Sequence, residues 1–152
     1  MGHLAIYLND HLAAAGAAVD LTGRQQGGVS EQTLARAREE LTAERTLFLA
    51  AMSRLGVRPD RLKQAAGRVG ERAGRLKLNG GLLRRSSLTD VVEIEALLLA
   101  SVYNLAALRT LRDLTEPRLA DLDLPSAVAR SEERARILEA ERAVTAARTL
   151  RG

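Results

Sequence analysis

The chain has 152 residues, of which 46% are apolar and 28% charged, the make-up of one globular domain rather than a disordered chain. It has no cysteine, which excludes disulfides, thiolate metal sites and cysteine nucleophiles. The two histidines leave little capacity for general acid–base work, and the net charge of +4 is a weak pointer to an anionic partner.

Tyr7, Phe48 and Tyr103 are the only aromatic residues, so the core has to be aliphatic. Ala, Leu, Arg and Glu are the best helix formers and dominate the sequence, and little of it reads as strand. The expected fold class is all-α. Asn9, Asp10 and His11 interrupt the first apolar stretch, so no signal peptide is expected. The longest uncharged apolar run, residues 96–108, is too short to span a bilayer. Ile6 stands where a myristoylation signal after Met-Gly needs Ser or Thr. A soluble, cytoplasmic protein is expected.

The first helix is predicted over about residues 2–26, with Leu4, Tyr7, Leu8, His11, Leu12, Ala15, Ala18 and Val19 on its apolar face. Gly27 and Gly28 stop it in a short turn. Ser30 then caps a second helix over residues 30–55, in which Leu34, Leu41, Phe48 and Leu55 recur every seven residues. Ala37, Glu44 and Ala51 occupy the other seam position, so Glu44 interrupts an otherwise small or apolar stripe. The short turn makes these helices antiparallel neighbours and brings His11 and Glu44 to nearly the same height.

A connector follows. Pro59 opens a predicted helix over residues 59–78, with Leu62, Ala65, Ala66, Val69, Ala73 and Leu76 on a narrow stripe. Residues 57–86 carry nine Lys or Arg against two acidic residues, a net charge of +7. The third main helix, residues 88–114, is the most apolar, with Leu88, Val91, Val92, Leu98, Val102, Leu105 and Leu108 at three- and four-residue steps. Ser87 and Asp90 fit a capping pair at its start, and Glu95 falls where a core leucine is expected. After the break at Pro117, Pro125 opens a last helix to about residue 150, with Val128, Ser131, Ala135, Leu138 and Thr145 inward and Glu141 and Arg142 at the edge.

His11, Glu44 and Glu95 thus put one polar group near the middle of each of three stripes, with Glu141 as a fourth. Carboxylates and imidazole converging in a bundle suit a single Fe, Mn or Zn ion; the competing reading is a salt-bridged polar layer. Two hairpins joined by a long crossover, together with Glu44 and Glu95, give the chain a resemblance to the ferritin-like superfamily. Its di-metal members carry Glu on the first and third helices and Glu-x-x-His on the second and fourth. Here Glu95 matches the third-helix Glu and Glu44 the first half of the second-helix motif, whose histidine position holds Leu47. His11 or Asp10 takes the first-helix place, Glu141 is followed by Val144 and Glu139 by Arg142. The resemblance therefore implies a ferritin-like four-helix bundle with a mononuclear or vestigial site. Through YLNDHLAAA, RAGRLKLNG and IEALLLA the chain also resembles uncharacterised helical proteins of high-GC, actinobacterial-type bacteria.

The function favoured by the sequence is a non-enzymatic structural or interaction protein that forms a homo-oligomer, a dimer first, through an Ala/Leu-rich face. One alternative is a metal-binding protein using His11, Glu44, Glu95 and Glu141. Another is a binder of nucleic acid or an anionic surface through Arg61, Arg68, Arg72 and Arg75 of the crossover, which lacks an aromatic to stack on a base.

Overall fold

Leucine and alanine at three- and four-residue spacing build four long helices in the computed structural model, which describes residues 2–23, 27–60 and 87–151. These are α1 (His3–Thr22), α2 (Glu31–Arg54), α3 (Ser87–Asp113) and α4 (Leu124–Leu150), with a 3-10 turn at Pro117–Leu119 between the last two. No strand occurs among the described residues. The helix expected over residues 59–78 lies almost entirely outside them, and residues 57–60 have no regular structure.

The helix ends follow local chemistry. Ser30 Oγ accepts a hydrogen bond from the Thr33 amide at 3.1 Å and caps α2. Glu141, far away on α4, completes that cap: its carboxylate accepts from the Ser30 amide at 3.0 Å and from the Thr33 hydroxyl at 2.6 Å. At the other end of α2, Gly56 has a φ of +70, and the Val57 amide reaches back to the Met52 carbonyl at 2.8 Å. That is a Schellman motif, which needs the left-handed conformation that glycine adopts without strain. Asn9 on α1 then clamps the departing chain, donating to the Arg58 carbonyl and accepting from the Asp60 amide.

Cross-helix pairs fix the directions. Tyr7 hydrogen-bonds Thr110 and His11 stacks on Tyr103, so α3 runs antiparallel to α1. Thr33 meets Glu141, Glu44 meets Arg134 and Arg54 meets Asp121, so α2 and α4 are antiparallel. Glu95 with Arg142 and Arg109 with Glu132 make α3 and α4 antiparallel as well. The helices form a closed ring in the order α1, α2, α4, α3, each opposed to both neighbours. Because α2 and α3 point the same way, α2 ends at one end of the bundle and α3 begins at the other.

The core has two parts. The larger cluster gathers Leu8, Leu12, Phe48, Met52, Leu105, Leu108 and Val128; the smaller gathers Ala18, Leu21, Leu41, Leu97 and Leu138. Each fully buried large side chain contributes about 1.5–3 kcal/mol through its removal from water. Between the clusters lies a polar layer of Glu44 on α2, Ser101 and Asn104 on α3, and Ser131 and Arg134 on α4, with Gly16 on α1 next to Ala15 of the larger cluster.

Two stripes differ from their expected positions. On α3 the buried face is Val91, Ile94, Leu97, Ser101, Asn104, Leu105, Leu108 and Leu111, whereas Leu88 and Val102 are exposed. Glu95 is therefore on the outer side rather than in the core, with its side chain 53% exposed. The helix is apolar on two faces, so periodicity alone does not say which one the bundle buries. On α1, Leu4 is exposed, and Asn9 and Leu21 are buried instead.

Gly28, with a φ of +78, makes the turn between α1 and α2, and its carbonyl accepts from the Thr145 hydroxyl at 2.8 Å. A Cβ there would stand 2.9 Å from Ile94 Cδ1 and 3.0 Å from Thr145 Cγ2. Gly28→Ala is expected to cost about 1–3 kcal/mol by urea denaturation, since it adds left-handed strain to crowding against two helices.

Candidate functional site

Arg134 projects from α4 into the polar layer and is only 3% exposed. Its Nη2 donates to Glu44 Oε1 at 2.7 Å and to Ser131 Oγ at 2.9 Å, while Nε donates to Ser101 Oγ at 3.3 Å. Its Nη1 donates to Glu40 Oε2 at 3.3 Å. Glu40 in turn takes a 2.8 Å bond from Arg36, so charges alternate from the surface inward: Arg36, Glu40, Arg134, Glu44. A buried ion pair survives only when its remaining donors and acceptors find partners, and Ser101 and Ser131 supply two.

Burial pushes the Glu44 carboxyl above its ordinary value of 4.5, although Arg134 pulls the other way. A seam cavity of about 200 Å³ between α2 and α4 is lined in part by Arg36, Glu40, Arg134 and Ile137 and brings solvent to the outer half of this chain of charges.

His11 is 2% exposed and has a different setting. The three aromatic side chains surround it: Tyr103 stacks at 4.0 Å between centroids, Tyr7 tilts against it at 4.4 Å and Phe48 lies at 6.4 Å. Burial lowers its pKa below 6.5, with Asp10 opposing in part, which favours the neutral imidazole.

The four side chains expected to share a metal therefore have separate engagements. Glu44 is paired with Arg134, and His11 is enclosed by aromatic rings. Glu95 faces outward with Arg142 Nη1 at 4.0 Å, and Glu141 caps α2. No group of three His, Asp or Glu residues suited to a metal ion occurs among the described residues. The donor set does not fit the metal that the ferritin-like resemblance implies, because a guanidinium stands against the one central carboxylate. Arg61, Arg68, Arg72 and Arg75 lie outside the described residues.

Sequence reasoning missed Arg134, Ser101 and Glu40. The signal for Arg134 was present: Leu124, Ala127, Val128, Ser131, Arg134 and Leu138 follow one another at helical face spacing. No protein-family model matches the chain, and neither a curated protein nor a solved structure matches it.

Arg134→Met is expected to destabilise the fold by about 3–5 kcal/mol, because it strands Glu44 without its counter-charge. Adding Glu44→Gln should recover part of that loss, and denaturation of the parent, both single variants and the double variant measures the coupling. The pH dependence has a definite sign. A carboxyl raised above its unfolded value favours folding at low pH, and that benefit is lost as pH rises from 4.5 through the folded-state value. Glu44→Gln should therefore gain stability relative to the parent across that window; a relative loss would mean that the attraction of Arg134 outweighs burial.

Proposed function

We propose that the chain is a ferritin-like helical bundle that serves as a non-enzymatic structural or interaction protein and pairs with a second copy of itself through the outer face of α3. The observation that carries this reading is the exposure of Leu99 at 71%, with Leu88, Val102 and Tyr103 at 48%, 47% and 44%. Leu99, Val102 and Tyr103 lie together on the outer side of α3, with Leu88 about three turns earlier and the exposed Glu95 between, while the inner face is already used by the bundle. By length and composition α3 is apolar enough to cross a membrane, and half of its most apolar stretch is buried. A run of exposed apolar side chains of this kind marks a contact surface.

A symmetric dimer uses the same patch on both copies. Two antiparallel α3 helices centred on Leu99 would place Leu99 against its own copy and keep the two Glu95 carboxylates apart, which favours that arrangement over a parallel one. The ring order and helix directions support the ferritin-like reading, since both hairpins are antiparallel and α2 and α3 run the same way. The non-enzymatic reading draws on the commitments of the candidate groups: Glu44 and Arg134 to each other in the interior, and Glu141, at the edge of α4, to the start of α2.

Sedimentation velocity over a micromolar concentration range is expected to show a dimer for the parent and a monomer for Leu99→Glu, with unchanged far-UV circular dichroism. A parent that stays monomeric throughout would overturn the pairing.

A further inference from the structure

Three helices bring buried polar atoms with unused hydrogen-bonding capacity into the layer between the two core clusters. His11 Nδ1, Glu44 Oε2 and both Nδ2 and Oδ1 of Asn104 have no hydrogen-bond partner. The three residues are 2%, 4% and 0% exposed. Such atoms are expensive to leave dry, and native proteins meet the need with protein groups or with internal water.

These atoms belong to one cross-section. Tyr103, the residue before Asn104, stacks on His11 at 4.0 Å. Ser101, one turn before Asn104, accepts from Arg134, which donates to Glu44. Phe48, one turn beyond Glu44, lies 6.4 Å from the His11 ring. The layer also carries the small side chains of Ser101 and Ser131, both fully buried. In the α2–α4 seam a cavity of about 40 Å³, lined by Glu40, Ala43, Glu44, Leu47, Ala127 and Arg130, reaches Glu44, though neither His11 nor Asn104 lines it. A water molecule needs only about 10–15 Å³ of such space.

We propose that this layer is a binding site for internal water, in which ordered molecules connect Asn104 with Glu44 Oε2 and His11 Nδ1. Water donates to the free Glu44 oxygen and to Asn104 Oδ1, and accepts from Asn104 Nδ2, so one ligand chemistry answers both the donor and the acceptors. The Glu44 carboxyl is then paired with a guanidinium on one oxygen and hydrated on the other.

Asn104→Leu, close in volume, separates a wet layer from a dry one. Removing an amide that anchors water is expected to lower Tm by about 2–10 °C. Removing an amide that is merely unpaired in a dry core would raise Tm instead, and a rise overturns the proposal. A high-resolution crystal structure of the parent decides the matter even if the variant does not fold. Solvent density within hydrogen-bond distance of Glu44 Oε2 and Asn104 is the expected result. Asn104 turned to bond Glu44 directly, or no density there, overturns it.

Discussion

One guanidinium holds the middle of this bundle. Arg134 makes its bonds to Glu44 and Glu40 on α2, to Ser101 on α3 and to Ser131 on its own helix, so a single buried cation ties three helices at one level. A buried ion pair contributes little net stability compared with well-packed apolar residues, because both charges must leave water. What it supplies is a fixed register. Leucines on α2 and α4 could slide by a turn and still pack, whereas a slide of one turn, about 5.4 Å, would strand Glu44 and Arg134 apart.

The same layer explains the uneven distribution of residue sizes. Each helix carries its large apolar side chains above and below a short interval of small or polar ones. On α1 that interval holds Gly16, where an added Cβ would meet Arg45 Nε of α2 at 3.9 Å. The aromatic residues are placed just as narrowly. With only three in the chain, all of them border His11, whose burial favours the neutral form of the ring.

The four main helices were legible in the sequence, because capping residues and glycines act locally: Ser30, Gly56 and Pro125 mark ends that the fold respects, whereas α1 ends at Thr22 with Gly23 at its C-cap, short of the stop expected at Gly27 and Gly28. Glu44 was legible as an interior carboxylate because its helix has one clear apolar stripe. Glu95 was not, since α3 is apolar on two faces and the choice between them depends on which neighbours dock. Arg134 was passed over because arginine is read as a surface residue, although its spacing from Ser131 and Leu138 pointed inward. The role of Glu141 could not be read locally at all, since its partners are more than a hundred residues away in the chain.

That distant cap bears on how the protein assembles. Helices ordinarily carry their own N-terminal acceptors, so their first turn forms wherever the local sequence does. Here the Ser30 side chain serves one amide, while the amide of Ser30 itself depends on a carboxylate from α4. The opening turn of α2 is thus completed only when the last helix has arrived. Amide exchange at Ser30 would then report the docking of α4 rather than the helicity of α2.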